Sequence, residues 1–293
     1  MKNAGSSPSS SRVVHPSRFR ALLLRWYGAH QRALPWRETR DPYAIMLAEI
    51  MLQQTQVPRV AARWQEWLER FPTAADVAGA PLRDVLLEWR GMGYNNRAVR
   101  LKQCCEHVAA HGWPRDPAGL ARLPGIGRYT AHAIACFAFG RRTPVVDVNV
   151  KVVYSVFLRP GASDDDCWAF AAAMLPRRRF YDYNQALFDL GAVIRSGDLS
   201  SLPRALRGLY QGLVLTKKKP SERLYGGLPM RLYRGALVQF LRETPGHTAT
   251  LAACAARLSA RLARQPVPFV RQVAKRLEQD GIVTVRGGRV RLA

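Results

Sequence analysis

The sequence predicts a mainly α-helical protein with a small α+β domain at its C-terminal end, and three observations predict it. Helical periodicity runs from about residue 15 to about residue 213, broken by short Gly and Pro turns and without strand-like alternation. A charge run, Lys217-Lys218-Lys219-Pro220, then interrupts the pattern as an extended, solvated linker would. Beyond it, three helical segments precede two short alternating runs around Gly287-Gly288, the pattern of a β-hairpin.

Taken in order, residues 1–14 form a flexible basic tail and 15–213 a helical domain. In that domain Ala44, Leu47, Ala48, Met51 and Leu52 recur at three- and four-residue spacing and make one buried helix face. Glu49 sits inside this segment. Residues 214–227 are the expected basic linker, and 228–293 a second domain. Its helices are Arg231–Arg242, Thr248–Arg261 and Val267–Gln279, followed by Ile282–Arg286 and Arg289–Leu292. Three helices and a hairpin suggest a winged-helix-like domain. Two readings of its third helix stand side by side: Arg271, Lys275 and Arg276 face DNA, or a solvated basic helix belongs to a protein-docking domain.

The chain of 293 residues is 48% hydrophobic, enough for a substantial core in one large or two ordinary domains. Lys plus Arg number 45 against 21 Asp plus Glu, a formal charge of +24, which points to a polyanionic partner. Only seven of those cations are Lys, so GC-biased coding is a second source of the surplus. No apolar run approaches the roughly 20 residues needed to cross a bilayer. The Ser-rich start, Gly5 to Arg12, lacks a signal-peptide core. A cytosolic, nucleoid-associated monomer is expected, with no membrane partner. Cys104, Cys105, Cys136, Cys167 and Cys254 are scattered without paired metal-ligand spacing, so reduced, buried thiols are expected rather than a disulfide framework or a metal site.

Leu123-Pro124-Gly125-Ile126-Gly127-Arg128-Tyr129-Thr130-Ala131 lies between two helical segments, and its glycines permit a tight turn that side chains would block. Such a turn opens the next helix, whose backbone N–H groups and positive end can hold a DNA phosphate without reading sequence. A plain helix–helix turn is the simpler reading. The segment resembles the helix-hairpin-helix of the DNA glycosylase superfamily that contains endonuclease III and the MutY-type adenine glycosylases, and the resemblance spans roughly residues 18–198. It implies a two-lobed glycosylase fold, with a six-helix lobe over about 38–145 and a second lobe from 15–37 and 146–213.

Cleaving an N-glycosidic bond needs a proton for the leaving base and negative charge near the developing oxocarbenium ion, and paired carboxylates supply both. Glu49 is flanked by Ala48, Ile50, Met51 and Leu52; partial burial there would raise its pKa and keep a proton available. Asp147, between Val145-Val146 and Val148-Asn149-Val150, is by itself equally an ordinary helix N-cap. Its place twenty residues after Gly127 matches the hairpin-to-aspartate arrangement of the superfamily. Glu49-Ile-Met-Leu-Gln-Gln-Thr-Gln-Val is similar to the adenine-glycosylase signature. The similarity implies that Glu49 protonates the base and that Gln53, Gln54 and Thr55 contact DNA at the extrahelical site. A solvated polar helix end is the alternative for those three.

Further matches imply further roles. Leu34-Pro-Trp36-Arg37 resembles the family segment that lines the base pocket, although a Trp is also simply core. Gly91-Met92-Gly93-Tyr94-Asn95 resembles its glycine-rich turn, with Tyr94 as a wedge entering the base stack and Met92 assisting. Asn184-Gln185-Ala-Leu-Phe-Asp-Leu-Gly-Ala resembles a later segment, placing Gln185 near the flipped base. Tyr129 stands where bifunctional relatives carry a Schiff-base lysine, so base removal without strand cleavage is expected. Asp147-Val148-Asn149 departs from the family's Asp-Gly-Asn but keeps the carboxylate and Asn149.

Two departures shape the expected function. The family's iron-sulfur cluster is held by four cysteines just after the Leu-Gly-Ala segment; here Arg195 stands at the first ligand position, and no Cys lies between 168 and 253. No cofactor is therefore expected, with packing and Arg195, Arg204 and Arg207 in the cluster's structural place. The winged-helix-like C-terminus also stands where MutY enzymes carry a Nudix-like domain. The expected activity is removal of adenine mispaired with 8-oxoguanine or guanine in duplex DNA. Two alternatives remain: a thymine or uracil glycosylase for T:G or U:G mispairs, and a non-catalytic DNA-binding protein.

Overall fold

The computed structural model describes residues 15–213, 215, 222–262 and 265–293; the tail expected over 1–14 and the linker lysines 217–219 lie outside the described residues. In chain order the helices are α1 (Pro16–His30), α2 (Pro42–Leu52), α3 (Val57–Arg70), α4 (Ala74–Gly79), α5 (Leu82–Glu88), α6 (Asn96–His111), α7 (Pro117–Leu120), α8 (Arg128–Phe137), α9 (Val148–Tyr154), α10 (Asp164–Met174), α11 (Phe180–Ser196) and α12 (Arg204–Tyr210). The C-terminal region adds β1 (Leu224–Tyr225), β2 (Leu228–Pro229), α13 (Met230–Glu243), β3 (Thr248–Thr250), α14 (Leu251–Arg261), α15 (Val267–Gln279), β4 (Val283–Arg286) and β5 (Arg289–Leu292). No helix among the described residues is long and apolar enough to cross a membrane.

The chain divides into two compact units. One collects 43–114, 122–126 and the described residues from 222 onward; the other collects 15–42, 115–121 and 127–213. This division departs from the expected lobes in two ways. Helix α8 joins the second unit, where Phe137 packs edge-on against Tyr181 at 5.2 Å and Phe188 at 6.1 Å. The C-terminal domain, expected to stand apart, forms one unit with 43–114.

The first unit is built around α2, in which every residue from Tyr43 to Met51 is buried. A helix apolar on all sides belongs at the centre of a core, and this one carries Glu49 with it. Around α2, Trp67 packs edge-on to Trp89 at 5.5 Å and donates through Nε1 to the Tyr43 hydroxyl at 2.8 Å. That hydroxyl in turn donates to the Phe71 carbonyl at 2.9 Å, so the buried polar atoms of both rings are satisfied.

The C-terminal region has the expected winged-helix-like order, with a three-stranded antiparallel sheet arranged β3-β5-β4. Gly287 and Gly288, at φ of 53° and 73°, make the tight turn between β4 and β5. Two expected boundaries move. Thr248–Thr250 is not the start of a helix but the strand β3, and Thr250 then caps α14 by accepting from the Ala253 N–H at 3.1 Å. Residues 224–229, expected partly as linker, form a β-hairpin around Gly226-Gly227, another pair at positive φ. The Tyr233 hydroxyl fastens this hairpin to α13 by donating to the Tyr225 carbonyl at 2.7 Å.

The second unit centres on α11, buried continuously from Tyr183 to Gly191, with α1 and α9 against it. Among its described residues the one buried charged side chain is Asp189, 2% exposed. Arg37 binds it with two parallel bonds, Nη1 at 2.9 Å and Nη2 at 2.8 Å, and Arg32 adds Nε at 2.6 Å and its backbone N–H at 3.1 Å. A bidentate guanidinium pair of this kind is among the strong charge-assisted contacts. Because removing one partner strands a buried charge, Asp189→Asn is expected to cost about 3 kcal/mol of stability. Urea unfolding followed by Trp fluorescence checks this; a midpoint equal to wild type contradicts it.

Candidate active site

Helix α2 delivers Glu49, 6% exposed, into the core of the first unit. The chain leaves that helix through Gln53, Gln54 and Thr55, of which Gln54 is exposed. Gln54 adopts φ 57° and Tyr94 φ 43°, left-handed conformations that cost energy in residues other than glycine and that gather at functional sites. Tyr94 is 43% exposed at the tip of its glycine turn, as a wedge needs to be. Met92, beside it in the same turn, is 4% exposed.

One residue that the sequence reading passed over joins these pieces. Arg97 is buried, and its Nη1 donates to the carbonyls of Ile50 at 2.7 Å, Met51 at 3.0 Å and Gln53 at 2.7 Å. Its Nη2 donates to the Thr55 hydroxyl at 3.2 Å and to the carbonyls of Met92 at 2.6 Å and Gly93 at 3.2 Å. The end of the Glu49 helix and the Tyr94 turn are thus tied to one guanidinium. Burial pushes this cation down to about 10, so it stays charged at neutral pH. A signal was present in the sequence: a cation in the first turn of α6 opposes the helix dipole and needs another reason to be there.

The expected hairpin is formed. Gly125 takes φ 77°, and the Ile126 N–H closes the turn on the Leu123 carbonyl at 3.1 Å. A Cβ on Gly125 would lie 2.8 Å from that of Arg100, so this position needs glycine twice over. Ile126 is buried, while Pro124 is half-buried and Gly125 exposed. Helix α8 then starts with Gly127 as N-cap, without a side-chain cap bond. Arg128 follows; its guanidinium bonds Asp165 at 2.6 Å and lies 4.3 Å from the Trp168 ring centroid.

In the second unit Asp147 is the N-cap of α9. Its Oδ1 accepts from the N–H groups of Asn149 and Val150, both at 2.8 Å, and its Oδ2 from the Asn149 amide at 2.6 Å. Burial raises its pKa above the ordinary Asp value, against the lowering pull of these bonds and of Arg195. The segment before it is held from both sides. Asn184 accepts from the Val145 N–H at 3.1 Å and donates to the Thr143 carbonyl at 3.1 Å, while His132 Nδ1 donates to the Pro144 carbonyl at 3.0 Å. Tyr129, half-buried on the first turn of α8, lies edge-on to Phe188 with centroids 6.3 Å apart. Trp36 and Gln185 are buried, and Arg37 holds Asp189 through the two bonds described above.

The residues present do not fit an iron-sulfur cluster. Arg195, at the first ligand position, is exposed near the end of α11. All five cysteines are buried, and burial pushes the thiols of Cys104 and Cys136 up to about 12 and Cys254 up to about 11, away from the thiolate a cluster requires. The segment after α11 is closed by packing instead. Leu202, Leu206 and Tyr210 are buried, and Arg207 donates to the carbonyls of Ser200 at 2.8 Å and Leu202 at 3.1 Å.

A helix-hairpin-helix followed twenty residues after Gly127 by an N-capping aspartate, with a buried glutamate on a core helix, suits one class of DNA repair protein. The family described as HhH-GPD superfamily base excision DNA repair protein matches residues 47–166 of the chain. Within it, the curated relatives it resembles are adenine DNA glycosylases. That of Mycobacterium tuberculosis (strain ATCC 25618 / H37Rv) is 42% identical over 182 residues, 59% of this chain and 60% of the relative. The human protein of that name is 38% identical over 201 residues, 62% of this chain and 37% of the relative. The chain thus spans about 60% of the length of the mycobacterial relative and less of the human one. Among solved structures, a thermostable thymine-DNA glycosylase matches at TM-score 0.57 and 25% identity, covering 66% of this chain and 97% of that one. An endonuclease III in a non-covalent DNA complex shares the fold at TM-score 0.56 and 21% identity, covering 68% and 100%.

Two expectations follow from the Asp147 geometry. A Cβ on Gly191 would fall 2.5 Å from both Cβ and the carbonyl oxygen of Asn149, a collision with backbone. Gly191→Ala should push α9 off α11, lower the melting temperature by several degrees, and displace the Asp147 carboxylate. Differential scanning calorimetry reads this, and an unchanged transition rules it out. For His132, burial and then Arg128 lower the imidazole below its ordinary value, partly offset by the Pro144 bond. Its contribution to stability is present above the unfolded value of about 6.5 and is lost as pH falls from there through the folded value. The urea midpoint should therefore drop between pH 7.5 and 5, and less so in His132→Gln; parallel pH curves for the two proteins would contradict the assignment.

Proposed function

We propose that this chain is a monofunctional DNA glycosylase that removes adenine mispaired with 8-oxoguanine or guanine from duplex DNA, acting as a monomer. The observation that carries the reading is the Glu49 helix: a carboxyl buried on a core helix that runs directly into Gln53-Gln54-Thr55 and is tied through Arg97 to the exposed Tyr94. Similarity to adenine DNA glycosylases supports it.

In the proposed reaction the adenine leaves the helix stack, Tyr94 fills the gap, and Glu49 gives its proton to the departing base. The N-glycosidic bond breaks with its electron pair going to the base, and the charge of Asp147 stabilises the oxocarbenium ion left on the sugar. Water bonds to that carbon and gives up its proton to a carboxylate, leaving free adenine and an abasic site. Tyr129 offers no amine for a Schiff base, so the strand stays intact. The reading includes no cluster. A colourless, active preparation agrees with that, whereas a brown one absorbing near roughly 400 nm opposes it.

Base release from A:8-oxoguanine, A:G, T:G and U:G duplexes tests the assignment. Adenine should be released from the first two. Glu49→Gln and Asp147→Asn should each slow single-turnover release by about a hundredfold or more while retaining duplex binding. Release of thymine or uracil alone would replace the adenine reading by its pyrimidine alternative, which the likeness to a thymine-DNA glycosylase keeps in view. Full activity of either variant would refute the role given to that carboxylate.

A further inference from the structure

The first unit contains a cavity of about 880 Å³ with two walls. One wall is the glycine turn with Tyr94, together with Gln54 and Arg59; the other is the C-terminal domain, through α13, the end of α14 and the end of α15. The domain is fastened to that turn rather than tethered near it. Arg242 on α13 donates to the Leu86 carbonyl, Nε at 3.1 Å and Nη2 at 2.8 Å, and to the Asn95 side-chain oxygen at 2.8 Å. Asn95 follows Tyr94 directly, so the anchor sits beside the exposed ring.

The charge of the cavity is one-sided. Five arginines line it, Arg59, Arg231, Arg234, Arg261 and Arg276, against the single carboxylate of Glu222, which Arg231 binds at 2.9 Å. Arg234 pairs with Asp280. Arg59, Arg261 and Arg276 form no ion pair among the described residues, and they come from both walls. Three guanidinium groups without a direct ion pair, of which Arg261 also feels the Glu243 carboxylate at longer range, surround an open groove next to an exposed aromatic ring and suit a phosphate backbone with a base beside it.

We propose that the C-terminal domain supplies the cationic wall of a DNA-strand groove running past Tyr94, with Arg261 and Arg276 on backbone phosphates. The inference rests on the DNA-glycosylase reading above and deepens it. It also differs from the binding mode of an isolated winged helix. In that mode the exposed Arg271 and Lys275 of α15 would share the contacts with Arg276, whereas the groove uses Arg276 without either of them.

The test is binding of the full chain to a mispaired duplex across a salt series, for wild type, Arg261→Ala, Arg276→Ala and the double variant Arg271→Ala/Lys275→Ala, each confirmed folded by thermal unfolding. Arg261→Ala and Arg276→Ala should each weaken binding roughly three- to tenfold and reduce the salt slope by about one, while the double variant keeps the wild-type slope. Wild-type slopes for the two single variants, or the loss appearing only in the double variant, overturn the groove. A wild type that binds duplex but releases no base leaves the groove standing and defeats the glycosylase reading. A wild type that does not bind duplex defeats both.

Discussion

The first unit depends on a buried cation whose partners are all neutral. Arg97 is met by six oxygens, five carbonyls and one hydroxyl, with no carboxylate among them. Taking a guanidinium out of water costs several kcal/mol. Charge-assisted bonds of about 1.5–3 kcal/mol each offset that cost only if nearly all are made together. The contact is therefore cooperative: the end of α2, the Gln53–Thr55 exit and the Tyr94 turn hold their places jointly or not at all. Three of the acceptors lie at or just beyond the end of α2, where the helix dipole is negative and a cation is welcome. Glu49 sits one turn earlier on that helix, so its height in the core is set by the same guanidinium that holds the wedge turn.

In the second unit the corresponding constraint is the capping of α9. The carboxylate of Asp147 satisfies two orphan N–H groups with one oxygen, and the Asn149 amide turns the other into a fixed direction. A helix cap and a charge-stabilising carboxylate ask for the same thing, an ionised group in one orientation. The two readings of Asp147 are thus compatible in this geometry. The raised pKa marks the tension in that arrangement: burial opposes the charge, and the cap bonds with Arg195 oppose the burial.

Much of the fold was legible because its signals are local. The three- and four-residue spacing around Glu49, the glycines of the hairpin and the Gly287-Gly288 turn each act within a few residues, and each element stands where the pattern put it. Misplacements occurred where a distant partner decides. Thr248–Thr250 becomes a strand only because β5, some forty residues later, pairs with it. The tie of Arg37 to Asp189, more than 150 residues away in sequence, had no local signal at all. Gly226-Gly227 was a local signal that went unread, since it lay inside a stretch treated as linker. The two carboxylates were legible only in part: apolar neighbours marked Glu49, whereas nothing local separated Asp147 from any other N-cap.

The stretch after α11 is closed by side chains that reach backbone carbonyls. Arg207 gathers the carbonyls of Ser200 and Leu202, and the Tyr210 hydroxyl crosses to the Val153 carbonyl at 3.1 Å. Val153 belongs to α9, the helix that Asp147 caps. The support therefore passes from α12 to the catalytic candidate through a hydroxyl buried deeply enough that its pKa is raised far above the ordinary Tyr value.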